Sequence, residues 1–125
     1  MNKTLLIVLV VSLFSCAETE QKVAGDQVEV WHKNATIYEV NVRQYTEEGT
    51  FAAFLPHVDR IQEMGIDILW FMPIHPIGEH NRKGGLGSYY SVKDYKGVIP
   101  EHGTDADFQA VVDKAHSLGM KVILD

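Results

Sequence analysis

Lys121-Val122-Ile123-Leu124-Asp125 reads as a β-strand that delivers a carboxylate to its C-terminal tip. The carboxyl edge of the sheet is where parallel α/β folds assemble their active sites. The stretch therefore predicts an enzyme of that class, with Asp125 as its first candidate site residue and the rest of its chemistry beyond it.

A helix is expected immediately upstream. Thr104 can cap it, and Asp105 and Asp107 in the first turn face the positive end of the helix dipole favourably. Phe108, Val111, Val112, Ala115 and Leu118 then share one apolar face. Gly119 supplies the left-handed residue that ends the helix. Met120 to Leu124 is a near-continuous apolar strand of the kind buried on both faces.

This helix and strand repeat an earlier pair. Gly49, Thr50, Ala52, Phe54, Val58, Asp59 and Gly65 recur at one fixed offset as Gly103, Thr104, Ala106, Phe108, Val112, Asp113 and Gly119. The first copy carries Phe54, Leu55, Val58, Ile61 and Met64 on its helix, and Ile66 to Phe71 as its strand. Pro56 breaks the pattern, because a proline deep in a helix costs about 3 kcal/mol. Thr50 to Phe54 is therefore expected as a separate turn, with Pro56 near the true helix start.

Further upstream, Thr36 to Val42 reads as the first strand, mostly apolar and rich in β-branched residues. Successive βα units imply a parallel sheet with all strand C-terminal ends on one side. An open doubly wound sheet and the first three βα units of a (β/α)₈ TIM barrel both fit. No glycine-rich phosphate loop follows the first strand, where Arg43-Gln44-Tyr45-Thr46-Glu47-Glu48 stands instead. This disfavours nucleotide binding, and the barrel is the expected fold.

The connection from Met72 to Gly103 is far longer than a βα link requires, and loops beyond about 15 residues in compact domains are usually functional or disordered. It holds Tyr89, Tyr90 and Tyr95. Tyrosines over a barrel mouth suit sugar rings, whose C–H faces pack on aromatic planes, but they also serve to pack loops down. His75, His80 and His102 show no compact metal spacing and read as polar loop residues.

The first residues read as targeting. Met1 to Phe14 carries one cation, Lys3, ahead of an apolar run that suits a secretory signal and is too short to span a bilayer. Leu13-Phe14-Ser15-Cys16 resembles the lipobox of bacterial lipoproteins, which implies removal of residues 1–15 and lipid attachment at Cys16. An ordinary signal peptide with a chance cysteine is the alternative. Residues 16–30 read as a polar tether, and residues 31–125 as the N-terminal part of the barrel domain. The expected location is exported and membrane-anchored, on the periplasmic or cell-surface side. A net charge of −6, more negative still without Lys3, argues against a nucleic-acid partner.

From Ile37 to Asp125 the chain resembles the α-amylase family of glycoside hydrolases, family 13. The matching pieces are Ile37 to Tyr45 for the first strand and Met64 to Ile74 for the second. Tyr90-Ser91-Val92-Lys93-Asp94-Tyr95, Gly103-Thr104, Ala115-His116 and Gly119 to Asp125 follow the family's Y-x-x-x-D-Y, G-T, A-H and G-x-x-V-I-L-D series in order and spacing.

The resemblance implies an enzyme that hydrolyses α-glucosidic bonds with retention, acting on an α-glucan or maltooligosaccharide. Tyr90 then matches the tyrosine that stacks under the sugar beside the scissile bond, Asp125 opens the first conserved motif, and Asp94 is a supporting loop aspartate. Ser88-Tyr89 replaces the usual His-Gly before the tyrosine, which leaves the assignment open between Tyr89 and Tyr90. Retaining hydrolysis needs two carboxyl groups about 5–5.5 Å apart. The family's catalytic Asp, Glu and Asp match nothing in these residues, so no catalytic residue is assigned and the piece alone is expected to be inactive. No cofactor or metal ligand is assigned within it either; the family's usual calcium ligand falls past residue 125 and leaves room for calcium in the full-length protein. A carbohydrate-binding lipoprotein whose barrel has lost catalysis shares every feature visible here.

Overall fold

Three short parallel strands form the frame: β1 (Ile37–Val40), β2 (Ile68–Phe71) and β3 (Lys121–Leu124). The sheet order is β1-β2-β3. These positions belong to a computed structural model that describes residues 30–125. Register places Glu39 beside Trp70 and Trp70 beside Ile123, with Val40, Phe71 and Leu124 in the next row. The strands run parallel, so all three end at one edge.

Between β1 and β2 the chain forms three short helices, α1 (Val42–Tyr45), α2 (Phe51–Phe54) and α3 (Val58–Glu63), with a 3-10 turn at Leu55–His57 joining the last two. Pro56 stands at the start of that turn, where its missing N–H costs nothing. Thr50 caps α2, its hydroxyl accepting from the Ala53 amide at 3.2 Å. The expected break before Pro56 is therefore present. Gly65 and Gly119 follow α3 and the last helix at φ 83° and 80°, the left-handed geometry that a side chain resists.

The last helix, α4 (Asp105–Ser117), begins with a reciprocal cap: the Thr104 hydroxyl accepts from the Asp107 amide, and the Asp107 carboxylate accepts from the Thr104 amide. The Thr104 hydroxyl also donates to the Asp107 carboxylate at 2.7 Å, and that bond, together with the one from the Thr104 amide, holds the Asp107 carboxyl below its ordinary range. Val111 and Ala115 are buried, and Phe108 and Leu118 pack against the same cluster. That cluster joins Val40, Leu69 and Phe71 of the sheet to Phe51, Phe54, Val58 and Ile61 of the first helices. Aromatic edges meet aromatic faces at its centre, with Phe71 at 5.5 Å from both Phe54 and Phe108.

The opposite sheet face carries Ile37, Glu39, Ile68, Trp70, Lys121 and Ile123, of which Ile68 on the central strand is buried. The face is open, with Ile37 54% and Ile123 43% exposed. Here an expectation is corrected. β3 is not buried on both faces, because β2 is its one neighbour among the described residues and Ile123 and Leu124 face solvent.

Two strand boundaries also differ. Val42 is buried in the first turn of α1 instead of continuing β1. Ile66 and Asp67 precede β2, where the Asp67 carboxylate accepts from the Thr36 amide at 2.8 Å and from its hydroxyl at 2.9 Å. These side-chain bonds add to backbone bonds from the Asp67 and Ile68 amides to the Thr36 carbonyl, and they hold the Asp67 carboxyl below its ordinary range.

The long connection packs onto itself and onto the core. Ile77 and Val92 form an isolated antiparallel bridge, flanked by bonds from the Gly78 amide to the Ser91 carbonyl and from the Lys93 amide to the Pro76 carbonyl. Ile74, Ile77 and Ile99 are buried beneath it. A 3-10 turn at Pro100–His102 leads into α4.

Candidate functional site

At the carboxyl edge the ladder continues by single bonds, from the Met72 amide to the Val40 carbonyl at 3.0 Å and from the Asp125 amide to the Phe71 carbonyl at 2.9 Å. Asn41, Met72 and Asp125 thus follow the three strand ends side by side. Side chains alternate along a strand, so Asp125 belongs to the open face that carries Ile123 and Trp70.

The long loop delivers two adjacent tyrosines to this edge, and their surroundings differ. The Tyr90 hydroxyl donates to Asp125 Oδ2 at 2.7 Å, while Tyr90 as a whole is 59% exposed. Tyr89 is half-buried: its hydroxyl donates to Asn41 Oδ1 at 2.9 Å, and the Arg43 guanidinium stands 4.1 Å from its ring centre. Of the two, Tyr90 is the one with an aromatic surface free to meet a ligand.

The bond to Asp125 is the main cause that raises the Tyr90 hydroxyl above its ordinary pKa of 10.0, with smaller contributions from burial and from the negative charges of Asp125 and Glu39. The phenol keeps its proton and remains a donor. Asp125 keeps its other carboxylate oxygen for a further donor, such as a sugar hydroxyl. Chemically, the pair offers a flat apolar surface beside a charged acceptor.

Asp94 is brought to neither residue. Its Oδ1 accepts from the Lys96 amide at 2.8 Å, closing an exposed turn of the same loop. His75 donates to the Gly97 carbonyl at 2.9 Å and lies 5.7 Å from the exposed Tyr95 ring.

His102 corrects the reading of the histidines as polar loop residues. It is 2% exposed, and its Nδ1 donates to the Gly49 carbonyl at 3.0 Å. Burial lowers its pKa below the ordinary 6.5, outweighing the opposite pull of the bond to Gly49, and the nearby Arg43 charge adds to the lowering. It is a neutral core residue that fastens the Gly49 turn to the start of α4. Cys16 and the proposed signal and tether lie outside the described residues. Among the described residues no group of three or more His, Cys, Asp or Glu side chains is placed to hold a metal ion.

Asn41 and Arg43 were missed from sequence. The signal for Asn41 was available, since it follows β1 at the same edge where Asp125 follows β3. Nothing in the spacing marked Arg43, whose partners lie in a distant loop.

Parallel βα units that gather polar side chains at their common carboxyl edge define an α/β domain with its site at that edge. The family described as "Alpha amylase, catalytic domain" matches residues 19–125, and the chain belongs to that family. A trehalose synthase from Pimelobacter sp. (strain R48) is 38% identical over 111 residues, covering 85% of this chain and 18% of the relative. The crystal structure of an alpha-amylase from Lactobacillus plantarum is similar at 58% identity and a TM-score of 0.73, over 74% of this chain and 22% of that one. A maltogenic alpha-amylase, AmyB, from Thermotoga neapolitana is similar at 42% identity and a TM-score of 0.71, over 74% and 23%. The chain thus spans less than a quarter of the length of these relatives.

Proposed function

We propose that the chain forms the first three βα units of the (β/α)₈ barrel of a retaining glycoside hydrolase acting on α-glucans or maltooligosaccharides. The observation that carries this reading is the Tyr90–Asp125 pair: an exposed ring whose hydroxyl is fixed at 2.7 Å to a carboxylate at the carboxyl edge. In this reading a glucosyl ring lies on Tyr90, and Asp125 accepts a hydrogen bond from one of its hydroxyls. Apolar contact with the ring face and a charge-assisted bond to its rim together orient the sugar.

Asp125 positions and does not cleave. Retention needs a nucleophile and an acid/base carboxyl about 5–5.5 Å apart, and one carboxylate cannot be both. The reading assigns the cleaving pair to a part of the whole protein outside these residues, in keeping with the small share of each relative that the chain spans. Asp94 supports the loop that presents Tyr90, through its turn at Lys96.

The decisive experiment is to read the coding region past Asp125 and assay the whole protein for reducing ends released from soluble starch and cyclodextrins. Later Asp, Glu and Asp residues with hydrolysis support the proposal. A complete barrel that binds maltooligosaccharides without those carboxylates replaces it with a sugar-binding protein.

We further propose that residues 1–15 are a signal removed in export and that Cys16 carries the lipid that anchors the protein to a membrane, residues 16–30 serving as tether and 31–125 as barrel. Support comes from the apolar run ending in Leu13-Phe14-Ser15-Cys16. Labelled fatty acid incorporated by the wild type and absent from Cys16→Ser is the expected result; equal labelling of both contradicts it.

A further inference from the structure

We infer that Arg43 is a positioning residue for the sugar site, the arm by which the β1 end of the sheet holds the Gly87–Tyr90 stretch so that Tyr90 meets Asp125. The inference rests on the proposed function for its consequence in catalysis, and on geometry alone for the latch itself.

Arg43 makes two kinds of contact with that stretch. One guanidinium nitrogen, Nη1, donates to the Gly87 carbonyl at 3.1 Å. The guanidinium carbon stands 4.1 Å from the Tyr89 ring centre, within cation–π range. Both contacts need a planar fork that stacks and donates at once, which a lysine ammonium does not provide. The ring is also held at its far end, where the Tyr89 hydroxyl donates to Asn41 Oδ1 and Asn41 Nδ2 donates to Gln44 Oε1 at 3.1 Å. Tyr89 is therefore gripped by two residues of one short segment, Asn41 and Arg43, with Gln44 steadying Asn41, and Tyr90 is its next neighbour in the chain.

The base of the arm is fixed in turn. Gly49 lies against the Arg43 backbone, and with φ 64° it has no room for a side chain, because a Cβ there would approach the Arg43 carbonyl oxygen to 3.0 Å. Buried His102 bonds the Gly49 carbonyl. The second terminal guanidinium nitrogen, Nη2, is buried without a hydrogen-bond partner among the described residues. A guanidinium serving only solubility would leave that nitrogen in water, so its burial marks a side chain held in place by the contacts it makes with the loop.

The consequence concerns alignment. Tyr90 is mostly exposed and its hydroxyl has one protein partner, Asp125, so little besides its neighbours sets its position. Small displacements of a substrate-orienting group cost rate far out of proportion to their size.

The test uses the whole protein with Arg43→Lys, Tyr89→Leu and Tyr89→Phe, each also combined with Tyr90→Phe. Three quantities are read: the melting temperature, kcat and KM on maltopentaose, and the Tyr90 hydroxyl titration followed by NMR of the ring carbons. Arg43→Lys and Tyr89→Leu are expected to lower kcat/KM by up to about tenfold, the loss expected for removing the Tyr90 hydroxyl itself. They are also expected to bring the Tyr90 titration down toward its ordinary value. Tyr89→Phe, which keeps the ring under the guanidinium, retains most of both. In the Tyr90→Phe background Arg43→Lys adds no more than about twofold. Unchanged titration and kcat/KM overturn the inference, and so does a loss of equal size with and without the Tyr90 hydroxyl, since Arg43 then serves only the fold. Should Arg43→Lys fail to fold, Tyr89→Leu decides between the same outcomes. A protein that cleaves no α-glucan refutes the proposed function alone, because the Tyr90 titration still reads the latch.

Discussion

The Tyr90 hydroxyl donates to Asp125 Oδ2 at 2.7 Å, joining a loop to the end of the third strand across 35 positions of sequence. The bond is the first cause that raises the Tyr90 pKa. A raised folded-state value means that its stabilisation is present below the ordinary tyrosine range and is lost as pH rises through the folded value. In a tyrosinate titration of the whole protein, Tyr90 is expected to ionise later than a free tyrosine, and Asp125→Asn is expected to move it back. A Tyr90 that ionises at the ordinary pH in both proteins contradicts the bond.

Phe71 lies at the centre of the core, fully buried, with the rings of Phe51, Phe54 and Phe108 at 6.5, 5.5 and 5.5 Å. Truncation leaves a cavity that three rigid rings cannot fill. Phe71→Ala is expected to destabilise the protein by about 3–5 kcal/mol in denaturant unfolding. A loss below about 1 kcal/mol means that this cluster is not the core.

His102 carries a pH dependence of opposite sign to that of Tyr90. Burial depresses its folded pKa below 6.5, so the neutral ring stabilises fully above that value and its contribution is lost as pH falls through the folded value. Wild-type stability is expected to fall more steeply on acidification from about pH 7 to about pH 5 than that of His102→Gln, whose amide can still donate to the Gly49 carbonyl. Parallel pH profiles for the two proteins contradict a buried, neutral His102.

The open sheet face predicts the behaviour of residues 30–125 expressed by themselves. Ile37 and Ile123 on that face are 54% and 43% exposed, Leu124 on the other face of β3 is 44% exposed, and β3 presents an unpaired edge among the described residues. Exposed apolar rows beside a free edge recruit other chains. Aggregation or a broad, non-cooperative melt is expected by light scattering and calorimetry; a cooperative, reversible transition of a monomer rules this out.

Much of this architecture was legible in the sequence because it rests on local rules. Thr104 with Asp107 announced the start of α4, Gly65 and Gly119 the helix ends, and Pro56 the break between α2 and α3. Boundaries that depend on partners elsewhere were not legible. The first strand stops short because Val42 turns into α1, and Asp67, expected inside β2, lies before it with its carboxylate on Thr36. The exposure of β3 depends on which neighbours pair with it, which periodicity does not encode. At the site, the matched motifs pointed to both Tyr90 and Asp125, and the alternation of strand and helix put Asp125 at the carboxyl edge. Their hydrogen bond and the Arg43 latch depend on how a long loop folds back, and no spacing in the sequence records that. His102 looked like one polar loop residue among three, and only its position beneath the Gly49 turn distinguishes it.

The central claim is that Tyr90 and Asp125 act together on a glucosyl ring. It is tested most directly by kcat/KM on maltopentaose for the whole protein, Tyr90→Phe, Asp125→Asn and the double variant. Each single change removes the same charge-assisted bond, so each is expected to cost on the order of tenfold, and the double variant is expected to fall well short of the product of the two losses. Losses that multiply, or variants as active as the wild type, contradict the claim.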